Sequence, residues 1–228
     1  MKRMVRLTER IYWYPWEEER DRPVLGYIKG DNLTMAVDAG HSSAHVQDFY
    51  EALKAEGLPL PDVTCITHWH WDHTFGMPFV HGLTTAEERT DRILKGIVEK
   101  MDADYAQSMM DMDEHIRAEY AEGQEMRVRQ ADLVFREELV LNCGNCTVQL
   151  FHGPSPHTDD CVYVYIPEEK VLFLGDAPCG AWPDWHVDAG KAEETIRFLQ
   201  EIDFGTAVSG HWDPQTKDEL IRFIRESI

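Results

Sequence analysis

Residues 68–73 read His-Trp-His-Trp-Asp-His and combine four side chains that commonly bind metal ions. Imidazole nitrogens and carboxylate oxygens are the usual ligands of zinc, iron and manganese. In extended backbone His68 and His70 would project the same way, because side chains alternate between the faces of a strand. A turn after the second tryptophan can direct Asp72 and His73 towards a second ion. Four ligands are too many for one ion that keeps an open position, so the spacing predicts two adjacent metal sites.

The sequence before this motif indicates that it follows a strand. Residues 63–67 read Val-Thr-Cys-Ile-Thr, a β-branched and apolar run typical of a buried strand. The motif then lies where a strand meets a loop, which is the usual place for catalytic groups on a sheet scaffold. A chance cluster of solvated histidines is the alternative, but this pattern arises by chance on the order of once in several hundred such chains.

Three later segments supply further candidate ligands. His157 follows a Gly-Pro-Ser-Pro turn, Asp176 follows Phe-Leu-Gly, and His211 follows Val-Ser-Gly. Each comes after an apolar strand, as His68 does. A lone His or Asp in such a place is usually a cap or a surface residue, but strands packed side by side would gather all four turns at one edge. The set therefore strengthens the prediction of a metal centre.

Composition limits the classes of function. A chain of 228 residues with 43% hydrophobic content can bury a large core. Residues 1–15 do not resemble a signal peptide, and no apolar run approaches membrane-spanning length, so we expect a cytoplasmic protein without a membrane partner. Five cysteines at irregular positions favour a reducing compartment. The net charge of −20 argues against nucleic acid as a partner.

Short predicted strands alternate with helices, and no linker or repeat divides the chain, which favours one domain over residues 1–228. The predicted strands outside the motif are Val5–Tyr14, Gly26–Lys29, Leu33–Asp38, Leu139–Asn142, Thr147–Phe151, Val162–Ile166, Val171–Leu174 and Thr206–Ser209. One predicted helix begins at a cap formed by Ser42 or Ser43 and ends at about Glu56, and the others run over about 191–201 and about 216–227. Cys143 and Cys146 flank Gly-Asn, a hairpin turn signal, so we interpret them as turn-flanking residues rather than half of a zinc site.

Residues from about 84 to 130 predict a helical insertion. This segment is charged, rich in Met and free of Pro, and Thr84-Thr85-Ala86-Glu87-Glu88 contains two overlapping capping boxes. Apolar residues follow at helical spacing. We expect two helices, with a break near Met101–Asp104, that lie over or beside the cleft as a lid or a dimer contact.

Together these motifs resemble the metallo-β-lactamase superfamily over nearly the whole chain. The resemblance rests on Val37-Asp38-Ala39-Gly40, Thr67 to His73, His157-Thr158, Phe173 to Asp176 and Ser209-Gly210-His211. It implies an α/β fold, a four-layer αββα sandwich with a dinuclear site at one edge. It also implies that His68, His70 and His157 hold one ion, that Asp72, His73 and His211 hold the other, and that Asp176 bridges them. Asp159-Asp160-Cys161 departs from the family pattern, which alters the pocket beside His157.

The resemblance also limits the reaction. β-Lactamases of this superfamily usually carry Cys or Ser in place of Asp176, flavodiiron proteins usually carry Glu in place of His70, and the acidic charge opposes RNase Z-type nucleases. Glyoxalase II is similar in its ligands but has a further C-terminal helical region. We therefore expect a glyoxalase-II-like or lactonase-like hydrolase. A metal-bridging hydroxide would cleave an ester, lactone, thioester or phosphoester bond of a small substrate. Asp72 would orient that hydroxide.

The implied cofactors are two divalent ions, with zinc expected and iron or manganese as options. A non-haem diiron oxygenase or oxidase is the main alternative function, and a metal-binding regulatory protein without catalysis is the third. A homodimer is compatible with the sequence.

Tryptophans near the predicted ligands suggest an aromatic pocket, although tryptophan is commonly a core residue. The candidates are Trp13, Trp16, Trp69, Trp71, Trp182, Trp185 and Trp212. Trp13 and Trp16 belong to an aromatic segment that precedes a charged run, and we expect that segment to wall the active site. His41 and His45 are either supports of the metal ligands or solvated residues at a helix start, and the second interpretation is favoured.

Overall fold

The computed structural model describes residues 2–228, which form two β-sheets flanked by helices. The strands of the first sheet, in spatial order, are β1 (Val5–Arg6), β2 (Ile11–Tyr14), β3 (Leu25–Lys29), β4 (Thr34–Val37), β5 (Val63–Cys65), β6 (Leu83–Glu87) and β7 (Leu133–Phe135). Strands β1 to β4 pair antiparallel, and β4 to β7 pair parallel. The parallel half therefore has its carboxyl ends at a single edge.

The second sheet follows the first in the chain. In chain order its strands are β8 (Glu138–Asn142), β9 (Thr147–His152), β10 (Val162–Ile166), β11 (Val171–Gly175), β12 (Thr206–Ser209) and β13 (Gln215–Thr216). Strands β11 and β12 pair parallel, and the other neighbours pair antiparallel. Because β9 and β11 both pair antiparallel with β10, the carboxyl ends of β9, β11 and β12 share one edge.

The helices begin at well-defined caps. They are α1 (Ser43–Ala55), α2 (Trp71–Thr74), α3 (Glu88–Val98), α4 (Ala103–Met112), α5 (Glu114–Glu119), α6 (Ala189–Glu201) and α7 (Lys217–Glu226). The Ser42 hydroxyl accepts hydrogen bonds from the first turn of α1, and Thr216 and Glu219 form a capping box at α7. Within residues 2–228, no helix is long and apolar enough to span a membrane.

Separate apolar cores show that the molecule has four layers. One core fills the space between the sheets, with residues such as Ile11 and Phe173, and another packs α6 and α7 against the second sheet. On the far side of the first sheet, α1 packs on one core and α3 to α5 on the next. The predicted αββα arrangement is confirmed.

The expected start of the helical insertion was wrong. Residues Leu83–Glu87 form β6, which lies between β5 and β7, and the helices occupy only 88–119. Thr84 and Thr85 are buried, and their β-branched side chains suit a strand that is covered on both faces. The Glu87 carboxylate, which accepts a hydrogen bond from the backbone of Arg89, caps α3 instead of the threonines. The helices contribute Leu94, Met109 and Ile116 to a core under the first sheet.

Candidate metal centre

The predicted ligands meet at the edge where the parallel strands of both sheets end. Two groups form there, and within each group the potential ligand atoms lie within 4.8 Å of one another. The first group contains His68, His70 and His157; the second contains Asp72, His73, Asp176 and His211. His68 and His70 follow β5, Asp72 and His73 lie on α2, His157 follows β9, Asp176 follows β11 and His211 follows β12. The strand order thus brings distant parts of the chain to one place.

The three nitrogens of the first group have the spacing of metal ligands. Nε2 of His157 lies 3.3 Å from Nε2 of His68 and 2.9 Å from Nδ1 of His70. Two nitrogens bound to one tetrahedral zinc ion at 2.0–2.1 Å would lie about 3.3 Å apart. The three rings are buried and approach one another edge to face. This arrangement fits one ion bound by three imidazoles.

Hydrogen bonds on the other side of the rings set the tautomers. Nδ1 of His157 donates to the carbonyl of Gly180 at 2.7 Å, which leaves Nε2 as the free lone pair. Nδ1 of His68 lies 3.1 Å from the Thr67 hydroxyl, which itself donates to the Asp38 carboxylate. The hydroxyl must then accept from His68, so Nε2 of His68 also presents a lone pair to the centre.

The second group joins two histidines to two carboxylates. Oδ2 of Asp72 lies 3.1 Å from Nε2 of both His73 and His211. Oδ2 of Asp176 lies 3.4 Å from Nε2 of His73 and 3.3 Å from that of His211. Oδ2 of Asp176 is also 3.8 Å from Nε2 of His157 in the first group. Asp176 is therefore placed between the two groups, as a bridging carboxylate would be.

Gly210 makes this approach possible. A Cβ at this position would overlap the Asp176 carboxylate and would lie 3.0 Å from the ring of His73. A larger residue here would push the carboxylate out of the centre. The glycine between β12 and His211 is thus a requirement of close packing at the ligands.

The histidines of the first ligand group differ in charge from those of the second. Burial, followed by the neighbouring rings of His73, His70 and His157, holds the pKa of His68 well below its usual value. Burial and His157 lower the pKa of His70 to about 3, and burial lowers that of His157. These three imidazoles are neutral at pH 7, which is the form that binds metal.

In the second group the carboxylates dominate. Burial alone would lower the pKa of His73, but Asp72, Asp38 and Asp176 outweigh it and raise that pKa well above its usual value. Asp176 and Asp72 likewise outweigh burial at His211 and raise its pKa. Burial would raise the pKa values of Asp72 and Asp176, yet His73 and His211 hold both well below their usual range. Without a metal, the second group is a pair of carboxylates neutralised by two protonated imidazoles.

Unpartnered atoms test whether an ion fits. Oδ1 of Asp176 is buried and has no hydrogen-bond partner within the described residues. Nε2 of His73 is also buried, and its contacts with Asp72 and Asp176 at 3.1 and 3.4 Å lack hydrogen-bond geometry. Buried polar atoms in that state are costly unless something satisfies them. Both atoms belong to the second ligand group, so a bound cation would satisfy them. The donor set fits divalent ions at both groups.

The family follows from a match that covers most of the chain. Residues 24–211 match the model of the metallo-beta-lactamase superfamily, and this range contains every ligand named above. The chain belongs to this superfamily. A search of curated proteins gave no match.

Solved structures share the fold. A metallo-beta-lactamase from Pontibacter korlensis is similar with a TM-score of 0.71 and 15% identity, over 99% of each chain. DIM-1 metallo-beta-lactamase gives a TM-score of 0.68 and 16% identity, over 99% of this chain and 95% of that one. The sec-alkylsulfatase Pisa1 from Pseudomonas sp. gives 0.71 and 13% identity, over 100% of this chain but 41% of its own.

A cleft of about 470 Å³ opens onto the ligand groups. His70, Asp72, Asp176 and His211 line its floor. Its walls are largely aromatic and apolar, and include Trp71, Trp185, Val187, Trp212 and Phe223. The ring of Trp185 stacks on His157, with 6.0 Å between centroids and 10° between planes. The cleft can therefore hold a small, partly apolar molecule directly over the candidate metal centre.

The predicted tryptophans fall into different places. Trp71 and Trp212 line the cleft. Trp69 packs against Trp71 and the core under the first sheet, and Trp182 contacts the edge of Trp71 but lies outside the lining. Trp185, unlike Trp69 and Trp182, lies in the lining of the cleft.

The N-terminal aromatic segment does not wall this cleft. Ile11 and Trp13 point into the core between the sheets, whereas Tyr14 packs in the core below α1. This period-two alternation is that of a strand covered on both faces, which is what β2 is. Trp16 packs against the core between the sheets. The expectation that this segment walls the active site was wrong for Trp13, because both faces of β2 are covered.

Two histidines lie in surroundings other than those expected. His41 and His45 are fully buried, so the favoured interpretation of solvated residues was wrong. Asp21 also lines the cleft, and its Oδ1 lies 3.5 Å from Nδ1 of His211. No motif in the sequence points to this residue. Burial and the carboxylates of Asp72 and Asp176 raise the pKa of Asp21 to about 7. Bound cations would neutralise those two carboxylates and so favour the ionised form of Asp21.

Proposed function

We propose that this protein is a metal-dependent hydrolase that uses two divalent ions to cleave an ester-like bond in a small substrate. Membership of the metallo-beta-lactamase superfamily supports metal-dependent hydrolysis at the level of the family. The observation that carries the dinuclear proposal is the position of Asp176, whose Oδ2 lies 3.3–3.8 Å from histidine nitrogens of both groups. Zinc is the proposed metal because neutral imidazoles and carboxylates suit it, and iron and manganese are options.

Bound divalent ions would lower the pKa of a coordinated water towards neutrality and polarise the bond to be broken. The chain supplies the rest. His68, His70 and His157 present fixed lone pairs, and Asp176 holds the two groups together. Asp72 lies on the cleft floor as a buried, ionised carboxylate. We propose that it accepts a hydrogen bond from the attacking water and so orients it.

The reaction consumes one water. With an ester or lactone, its oxygen forms a bond to the acyl carbon, the carbon–oxygen bond to the alcohol breaks, and the alcohol leaves with a proton. In a thioester the carbon–sulfur bond breaks and a thiol leaves, and in a phosphoester the water attacks phosphorus and the phosphorus–oxygen bond breaks. The aromatic walls of the cleft exclude bulk water and bind the apolar part of the substrate. Esters, lactones, thioesters and phosphoesters are the candidate substrates.

A panel of chromogenic esters, lactones, thioesters and phosphodiesters tests the proposal. Each substrate is assayed with metal-free protein and with protein loaded with zinc, manganese or iron. We expect hydrolysis only with metal, and loss of at least about a hundredfold in kcat/KM in Asp72→Ala. Absence of hydrolysis with every metal, together with oxygen consumption by the iron form, would favour the redox alternative instead.

A further inference from the structure

The cleft is lined by carboxylates and contains no lysine or arginine side chain among residues 2–228. The three carboxylates are those of Asp21, Asp72 and Asp176. Two of these carboxylates belong to the ligand groups. The third carboxylate, that of Asp21, belongs to neither group.

The backbone around Asp21 is built to hold it there. Glu17 and Arg22 exchange two backbone hydrogen bonds of 2.8 and 2.9 Å, which closes the turn. Asp21 itself adopts a left-handed conformation with φ of 47°, and its amide donates to the carbonyl of Glu18 at 3.1 Å. Aspartate adopts this left-handed region more readily than most L-residues, so it suits this position of the turn.

The neighbouring arginine anchors the turn to the body of the protein. The guanidinium of Arg22 donates to Glu119 at 2.7 Å and to Asp48 at 2.8 Å. Beyond it, the amide of Val24 donates to the carbonyl of Gly210, which precedes the ligand His211, at 2.6 Å. The turn is thus fixed on both sides, and the Asp21 side chain, which is 32% exposed, faces the cleft.

The nearest cations in the turn are already paired. Arg22 is neutralised by Glu119 and Asp48, and Arg20 lies 3.8 Å from Glu17. Two divalent ions would bring four positive charges, and Asp21, Asp72 and Asp176 would offset three of them. The attacking hydroxide would offset the fourth, so the cleft would be neutral overall. Between low-dielectric aromatic walls, a substrate group beside Asp21 would then meet the negative charge of that carboxylate with little screening.

We infer that Asp21 determines specificity by charge, so that the substrate is an ester whose non-reacting part is apolar and carries no negative charge. This inference rests on the proposed hydrolase function and narrows it. A cationic group is accepted, because a carboxylate beside Trp185, Trp212 and Phe223 is a suitable environment for an ammonium ion. Phosphodiesters and esters with an anionic tail are disfavoured.

Three 4-nitrophenyl esters of equal chain length test the inference on zinc-loaded protein. Their acyl chains end in a methyl, a trimethylammonium or a carboxylate group. We expect kcat/KM for the carboxylate ester to be at least about tenfold below that for the other two at low salt. In Asp21→Asn the ratio of the anionic to the cationic ester should rise about tenfold, while the neutral ester changes less than about twofold. Added salt should reduce the difference in the wild type.

Glu19→Gln is the matched control, because it removes one negative charge from the same turn at an exposed position outside the cleft lining. We expect no change in the ratio. Zinc content by elemental analysis and thermal unfolding should stay the same in Asp21→Asn. An equal loss of kcat/KM for all three esters, or a loss of zinc, would show that Asp21 instead aligns His211 and would overturn the inference.

A binding measurement separates this inference from the hydrolase proposal. If no ester is hydrolysed, the hydrolase proposal fails, but the quenching of tryptophan fluorescence still reports binding of 3-phenylpropyl-trimethylammonium and 3-phenylpropionate. Direct binding of the carboxylate to zinc contributes equally in wild type and Asp21→Asn. For each ligand, the ratio of the Kd of the variant to that of the wild type therefore reports the effect of the Asp21 charge. We expect Asp21→Asn to bind the anion more tightly and the cation more weakly. If Asp21→Asn changes the Kd of both ligands by the same factor, charge selection is refuted.

Discussion

The Asp38 carboxylate accepts a hydrogen bond of 2.8 Å from Nδ1 of His73 and, through the same Oδ2, one of 2.9 Å from the hydroxyl of Thr67. Thr67 in turn orients His68. One carboxylate at the end of β4 therefore sets the tautomers of a ligand in each group. Asp38 has φ of 65°, a conformation that an L-residue adopts only when its contacts require it.

Asp38→Asn should lower the affinity for both ions by about 10- to 100-fold, because the amide cannot accept from both Thr67 and His73 without leaving a donor unpaired. Competition with a chromogenic chelator measures the affinities. Asp62→Asn is a matched control: its carboxylate accepts from the amide and hydroxyl of Thr34 at 2.8 and 2.9 Å, but before β5, at the opposite edge. If both variants lose zinc equally, the effect is one of general stability.

Asp176→Ala should weaken both sites, because its carboxylate lies between the two groups. Elemental analysis of the zinc-loaded protein should give about two ions per chain in the wild type and fewer than one in the variant. Asp203→Ala, at an 81% exposed side chain, should keep both ions. A variant that retains one tightly bound ion would contradict the bridging role and support two independent sites.

Metal binding should depend on pH at one group and not at the other. His68, His70 and His157 have lowered pKa values, so they are largely neutral at pH 7–8 and release few protons on binding. His73 and His211 have raised pKa values, so each carries a proton that the ion must displace. Affinity at the second group should therefore rise with pH. Calorimetry in buffers of different ionisation enthalpy counts the protons, and we expect about two per pair of ions; none would refute the assignment.

Glu119→Ala should destabilise the fold by about 3–5 kcal/mol, because it leaves the buried guanidinium of Arg22 without its main partner. Glu119 is fully buried, and its carboxylate also accepts from the hydroxyl of Ser42 at the start of α1. Urea unfolding measures the loss of free energy. Glu122→Ala, three residues on, removes only an exposed pair with Arg20 at 4.0 Å, and a change above about 1 kcal/mol there would be unexpected.

The residues that form the two groups can be selected from the sequence because their signal is local. His68, His70, Asp72 and His73 lie within six residues, and each later ligand follows an apolar strand on a Gly- or Pro-containing turn. Asp21 has no such signal. It lies in a charged run typical of a solvated surface, and only the left-handed turn and the anchor at Arg22 bring it to the cleft.

The sequence mispredicted elements where tertiary packing opposed a local pattern. Thr84 and Glu87 match a capping box, but the sheet needs a strand between β5 and β7, and burial on both faces favours β-branched residues there. Trp13 was expected to wall the active site, yet the alternation along β2 places it between the sheets. Neither outcome can be obtained from spacing alone, since each depends on which elements pack on both sides of a strand.

Truncation of Trp185 and of Trp182, two tryptophans of the same loop, should show whether only the one that lines the cleft binds the substrate. Trp185 is 51% exposed, lines the cleft and stacks on His157, so Trp185→Ala should raise KM for esters with an aromatic acyl group by about three- to tenfold. Because the change removes binding and not chemistry, kcat and zinc content should stay nearly constant. Trp182→Ala is the matched control: Trp182 is 39% exposed in the same loop but lies outside the lining. Acetyl esters, which do not reach the aromatic wall, should be unaffected in both variants. An equal rise in KM for Trp182→Ala would mean that the loop as a whole, and not the ring of Trp185, forms the binding surface.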